Sequence, residues 1–381
     1  MEGSMDWAEL PVDILHSISR SVADPKDFVS FRAVCPQWRG HVSRTAHARF
    51  HPWILKSDNV GNSGDVLFYS LSSRKYHEIH VPALKDKRTR LAGFGAGHLV
   101  GIDRDDDLSA VLVNPLTGES TALPCLPGVF HGNLTYGFAT DPEINGEEDL
   151  FVVVYNWWPN RHVRTNAAMW RRGGDASWVT MPSERFWARM PQHRRCLATE
   201  APHVLEEREL LAAAAAAPGI DIGVAGGGMA ALAPGVDGAH LIEHEGQVRF
   251  MFRLEENGFP VDVPAAVAPG ELLRPQVTFA LQGMVGDNWE VIDWANVPEL
   301  HDKIILQSQD SSCYVLPASD DDVVGLSKNS IYFFALQRLE EGEGYCLCKW
   351  DLLEQVATIM KQIPGDWTWN AGRWFLPTFK Y

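Results

Sequence analysis

Ala110-Val111-Leu112-Val113-Asn114-Pro115-Leu116-Thr117-Gly118-Glu119-Ser120-Thr121-Ala122-Leu123-Pro124 reads as a strand, a turn and a second strand closed by a proline. Aliphatic and β-branched residues fill the first arm, as a half-buried pleated surface favours. The turn has a mechanism: Asn bonds its own backbone, Pro presets φ, and Gly adopts positive φ without steric cost. The same unit recurs outward from this stretch. It reads Val66-Leu67-Phe68-Tyr69 to Ile79-His80-Val81-Pro82, and Met169-Trp170-Arg171-Arg172-Gly173-Gly174-Asp175 to Trp178-Val179-Thr180-Met181-Pro182. It returns as Val277-Thr278-Phe279-Ala280-Leu281 through Asp287-Asn288-Trp289-Glu290-Val291. It appears last as Ile331-Tyr332-Phe333-Phe334-Ala335 through Tyr345-Cys346-Leu347-Cys348-Lys349-Trp350-Asp351 to Ile363-Pro364. Hairpins spaced at roughly 40 to 60 residues predict the blades of a β-propeller, where radial repetition leaves few exposed sheet edges. A sandwich or two-sheet array is the competing architecture.

Ahead of residue 60 the periodicity is helical. Ile14, Leu15, Ile18 and Val22 recur at the spacing of a stripe along one helical face, with Pro11 in the first turn. A second helix starts at Asp24-Pro25-Lys26-Asp27, where Asp24 caps orphan amides and Pro25 suits the first helical position. Phe28, Phe31 and Cys35 are expected to face inward, and Pro36-Gln37-Trp38-Arg39 restarts a short third helix. The fold class is therefore α+β and multidomain: a small three-helix module at 6–48, a linker at 49–64 and a large all-β, propeller-like domain at 65–381. A module of about forty residues buries too little surface to stand comfortably alone, so it leans on a neighbour or a partner. The pattern breaks at 183–237, where an alanine run (Ala212 to Ala217) and a Gly/Ala-rich stretch (Gly223 to Gly235) replace aromatic strands. Glu206 to Ala217 reads either as a helix or as a flexible insertion.

Leu10-Pro11-x-Asp13-Ile14-Leu15, then Asp24 and Asp27, then Phe31-Arg32-x-Val34-Cys35-x-x-Trp38-Arg39, resembles an F-box, the helical motif that docks on the Skp-type adaptor of SCF ubiquitin ligases. The resemblance implies that Leu10, Pro11, Ile14, Leu15, Ile18, Val34, Cys35 and Trp38 form or support the adaptor-facing surface. Further motifs widen it: Asn114 to Gly118 followed by Leu123-Pro124, Trp289-Glu290-Val291 near Cys313, Asn329 to Phe333, and the tail from Trp367 to Pro377. With these, residues 6–180 and 240–381 are similar to plant F-box proteins that carry a C-terminal kelch-like domain of unknown function, the domain of unknown function 295 family. Such a protein is a non-catalytic adaptor. It binds the Skp-type linker and, through it, a cullin, while its β domain holds a protein substrate. The resemblance implies no cofactor, and a place in the cytoplasm, the nucleus or both.

Composition agrees with a globular chain: 381 residues, 45% hydrophobic, 22% charged. The formal net charge of -16 argues against nucleic acid as a partner, because such readers carry a basic patch or stripe. The first fifty residues hold six basic and six acidic residues, so the acidity belongs to the β-rich remainder and hints at a basic partner. Six scattered cysteines (Cys35, Cys125, Cys196, Cys313, Cys346, Cys348) lack paired spacing and suit a reducing compartment. No secretory h-region opens the sequence, and no apolar run approaches the roughly 18 residues of a membrane span.

Several stretches invite a chemical reading. His240-Leu241-Ile242-Glu243-His244 satisfies the H-x-x-E-H pattern of inverted zinc peptidases, which makes a metal-dependent hydrolase the alternative function. That chemistry needs a helix presenting both imidazoles on one face. The following Glu245 to Phe252 reads as a turn and a strand instead, which would put Glu243 opposite the two histidines. Gly93-Phe94-Gly95-Ala96-Gly97-His98 begins like a dinucleotide loop, but His98 stands where the third glycine belongs, and a tight β-turn is the reading taken. Cys346-Leu347-Cys348 lacks the spacing of a zinc knuckle. Asp105 to Asp107 and Asp320 to Asp322 read as solvated turns, with calcium as the competing reading. Lys85 to Arg90 reads equally as an exposed loop or a nuclear-localisation patch. Trp367, Trp369 and Trp374 read as core, with a partner-binding face as the alternative. No G-x-S-x-G elbow and no P-loop is present, so acyl transfer and nucleotide hydrolysis have no handle.

Overall fold

The computed structural model describes residues 7–22, 24–43, 50–56, 63–85, 89–95, 97–103, 108–130, 135–140, 143–144, 147–148, 151–156, 166–172, 176–182, 236–244, 247–255, 262–263, 268–273, 277–285, 288–308, 313–317, 326–339, 342–363 and 373–378. The readings at Asp105 to Asp107, at 183–235, at Asp320 to Asp322 and at Trp367 and Trp369 lie outside them. The chain divides into two compact units: Met1–Val154 with Met169–Trp178 and Trp374–Tyr381, and Tyr155–Ala168 with Val179–Arg373. The helical module thus shares a unit with the first β sheets.

Three short helices open the first unit: α1 (Val12–Ser21), α2 (Pro25–Arg32) and α3 (Pro36–His41). The carbonyl of Pro11 accepts from the amides of Ile14 and Leu15, starting α1 without a side-chain cap. Asp24 caps α2, its carboxylate accepting from the Lys26 amide at 2.9 Å, and Pro25 fills the first position, where its missing N–H costs nothing. At α3 the Cys35 sulfur takes the capping role, accepting from the Trp38 amide at 3.4 Å. Leu15, Phe28, Trp38, Val42 and Phe50 make the module's core, with Leu10, Val22, Phe31 and Cys35 packed against it.

The structure divides the apolar stripe of α1: Leu15 and Ser19 are buried and Val22 tucks in, whereas Ile14 and Ile18 stay in solvent. At 100° per residue, Ile14 and Ile18 stand roughly 60 to 100° round the helix from Leu15.

Within the segment read as a linker, 49–64, residues 50–56 carry structure. Phe50 enters the helical core, and β1 (Trp53–Leu55) is fully buried. β1 pairs antiparallel with β2 (Asp65–Ser70), which pairs with β3 (Lys75–His80). The four strands β4 (Thr89–Gly95), β5 (His98–Asp103), β6 (Ala110–Val113) and β7 (Ser120–Leu123) follow as an antiparallel meander. Between β6 and β7 the opening stretch folds as read: the Asn114 carbonyl oxygen of the side chain accepts from the amides of Leu116 and Thr117, and Gly118 has φ +75°. Of the glycine stretch, Gly93 to Gly95 end β4 and His98 opens β5, with Gly95 opposite His98. Next come β8 (Thr135–Thr140), the two-residue strands β9 (Glu143–Ile144) and β10 (Glu147–Glu148), β11 (Phe151–Asn156) and β12 (Asn166–Arg171), of which β8, β11 and β12 lie side by side. Trp53, Leu55, Val66, Phe68, Leu84, Leu99, Val111, Val113 and Phe375 fill the core beneath the first two sheets.

The larger part of the second unit holds β13 (Val179–Pro182), β14 (Val236–His244), β15 (Gln247–Glu255), β16 (Asp262–Val263), β17 (Val277–Val285) and β18 (Asn288–Ile292), and β14, β15, β17 and β18 form an antiparallel sheet in that order. Then β19 (Lys303–Gln307), β20 (Cys313–Pro317), β21 (Ser330–Leu339), β22 (Gly342–Asp351) and β23 (Ala357–Ile363) make a mixed sheet, in which β16 and β19 both run parallel to β21. Hairpins alone did not foretell these parallel pairs. Phe279, Trp294, Phe333 and Trp350 form its aromatic centre at centroid distances of 5.3 to 5.6 Å. The Trp294 indole donates to the Phe279 carbonyl at 2.7 Å, which satisfies its one buried donor. Two buried arginines are also served: Arg249 pairs with Glu299, and Arg253 donates to the Phe334 carbonyl at 3.0 Å while lying over the Phe333 ring. Finally β24 (Arg373–Phe375) returns beside β1, setting Phe375 against Phe68 at 4.8 Å.

Candidate functional site

The eight residues singled out on the helical module fall into three groups. Leu15 is 0% exposed and Trp38 is buried, whereas Ile14 is 47%, Ile18 38% and Val34 58% exposed, and Pro11 is exposed too. Leu10 and Cys35 are half-buried. Trp38 is held inward by its indole, which donates to the Trp7 carbonyl at 2.8 Å, and by its ring against Phe31 at 4.7 Å. Arg32 fastens the end of α3, donating from Nε to the Val42 carbonyl at 2.7 Å. These contacts make Leu15 and Trp38 the scaffold, and they leave Ile14 and Ile18, one turn apart on α1, projecting from it.

Sequence reasoning missed further apolar residues left in water: Trp7, Val12 and Val29. Val12 adjoins Asp13 and Val29 stands between Phe28 and Ser30, and no pattern separated either from core positions. An exposed apolar set this dense on about forty residues is unusual for a surface without a partner.

Other candidate chemistry finds no such footing. His240, Glu243 and His244 lie on strand β14, their backbones opposite Met251, Val248 and Gln247 of β15, and not on the helix that zinc peptidase chemistry requires. Among the described residues no three His, Cys, Asp or Glu gather to hold a metal. Cys346 and Cys348 lie in the core of the second unit, where burial pushes the Cys346 thiol up to about 11 and the Cys348 thiol higher still. A Ser-His-Asp grouping occurs at Ser73, His77 and Asp24. It is no catalytic relay, because the serine and the carboxylate both approach the same imidazole nitrogen, Nε2, whereas a relay needs one on each nitrogen. Trp374 is fully buried, as a core reading requires.

Fold and site together define a protein with a small helical module, apolar on its outer face, joined to a β-rich body. Residues 68–351 match the KIB1-4 beta-propeller family, well over half of the chain, and the chain belongs to that family. It is also similar to the F-box protein SKIP23 of Arabidopsis thaliana, 25% identical over 124 residues, which is 32% of this chain and 29% of that protein. Among solved structures it is similar to the Aleuria aurantia lectin in complex with α-methyl-L-fucoside (10% identity, 83% of this chain and 98% of that one, TM-score 0.26). An α-L-arabinofuranosidase from Lactobacillus brevis is similar at 8% identity, 75% and 87% coverage and a TM-score of 0.22. Neither score supports an argument about this chain.

Proposed function

We propose that this protein is the substrate-recognition subunit of an SCF-type ubiquitin ligase, an F-box adaptor without catalytic residues of its own. The helical module grips a Skp-type adaptor and, through it, a cullin. The β-rich domain holds a protein substrate. Ubiquitin chemistry then belongs to the conjugating enzyme, and this chain contributes proximity by raising the effective concentration of substrate lysines. The observation that carries the reading is the exposed set Ile14, Ile18 and Val34 on a module whose own core is already complete without them. The similarity to an Arabidopsis F-box protein and membership of a β-propeller family support it. The protein works in the cytoplasm, the nucleus or both.

The test is assembly. Full-length protein mixed with a Skp-type adaptor and a cullin is expected to elute from a sizing column as one ternary complex. Elution of a well-folded chain by itself sinks the proposal.

A further inference from the structure

Asp24 stands at the start of α2 and His77 within β3, 53 positions apart in sequence, yet His77 Nε2 and Asp24 Oδ2 meet at 3.1 Å with both residues buried. Asp24 works in two directions, because its other oxygen, Oδ1, accepts from the Lys26 amide and caps α2. The His77 ring stacks on Trp53 of β1 at 4.8 Å with 19° between the planes. His77 Nδ1 is buried without a hydrogen-bond partner. The contact needs a proton on Nε2, which donates to the Asp24 carboxylate. Apolar contacts run alongside. Phe50 meets Phe28 at 5.4 Å, and Leu116, from the β6–β7 turn, packs against both the helical core and the core under the first two sheets.

We infer that Asp24, His77 and Trp53 form a joint that fixes the helical module on the sheet of β1, β2 and β3, so that a protein gripped by α1 and one gripped by the sheets of this unit keep a set mutual orientation. Its purpose rests on the docking reading above; the joint itself does not. A charge-assisted bond between buried partners is strong, and removing one partner strands the other, which is the costly direction. A module on a flexible tether opens on its own, whereas a jointed one opens with the sheet it sits on. The sequence could not announce the joint, since His77 and Trp53 lie outside the helical motif and meet Asp24 only once β1, β2 and β3 have paired.

Hydrogen exchange on the full-length chain tests it, with amides read by mass spectrometry in wild type, His77→Leu and Asp24→Asn. Asparagine keeps the size and the capping oxygen but turns an NH2 donor toward the Nε2 proton of His77, so Asp24→Asn removes the acceptor together with the charge. In both variants the amides of α1 and α2 are expected to exchange about tenfold faster or more, while those of β5 and β6 hold. His77→Gln, which still offers an N–H to Asp24, is expected to restore protection. Unchanged exchange in α1 and α2 overturns the joint. Should His77→Leu fail to fold, Asp24→Asn decides the question alone. Titration of the same samples with a Skp-type adaptor separates the two claims: a wild type that does not bind removes the docking reading and leaves the exchange result standing.

Discussion

Leu15 and Ile14 are neighbours in sequence with opposite environments, and a pair of substitutions should tell them apart. Leu15→Ala empties a fully buried site and is expected to cost about 2–5 kcal/mol in denaturant unfolding. Ile14→Ala, on the exposed side, is expected to stay within about 0.5 kcal/mol. Gly97 carries a different constraint. Its φ is +73°, and a Cβ there would run into the side chain of Thr378, whose carbonyl already accepts from Asn114 Nδ2. Gly97→Ala is therefore expected to lower stability by about 1–3 kcal/mol, read as a fall in melting temperature. Cys346 gives a pH test. Burial raises its thiol from 9.0 to about 11, so the unfolded chain loses this proton first as pH rises. Its contribution to stability is complete below about pH 9 and is lost on the way to about pH 11, and unfolding at stepped pH should show that decline, reduced in Cys346→Ala.

At the scale of elements, much of the fold was legible because local chemistry agreed with tertiary context. Asp24-Pro25 fixed the start of α2, and Asn114 with Gly118 fixed the β6–β7 turn, each through bonds spanning only a few residues. What the sequence left open depended on partners far away. Periodicity identified the apolar residues of α1 but not which of them the module's own core would take, so the division between Leu15 inside and Ile14 and Ile18 outside was open. β1 hid in a supposed linker because three residues after a proline become a strand only beside Phe68 to Ser70. The parallel pairing of β19 with β21 likewise needs a return connection that no hairpin signal encodes. The candidate site was legible in its residue types and illegible in its split into scaffold and surface. Asp24→Ala should expose both roles of that residue: losing the cap and the His77 bond together is expected to cost more than about 2 kcal/mol, against a smaller loss for Asp24→Asn.

At the scale of the whole molecule, residues at opposite ends of the chain share one core. Phe375 lies among Trp53, Phe68 and Val66, and Phe375→Ala is expected to cost about 3–5 kcal/mol, as the removal of a buried ring does. The same unit carries the helical module, so the surface proposed to face the adaptor is presented from a folded body and not from a loose tail. That proposal is the centre of the account, and one measurement addresses it most directly: the affinity of the full-length chain for a Skp-type adaptor in wild type and in the double variant Ile14→Asp/Ile18→Asp. Leu353→Asp, at an exposed leucine of the second unit, serves as the control. The account expects tight binding by wild type and by the control, and a loss of more than about 2 kcal/mol in the double variant, a hot-spot magnitude, with melting temperature unchanged. A folded wild type that does not bind, or a double variant that binds as well as wild type, would contradict it.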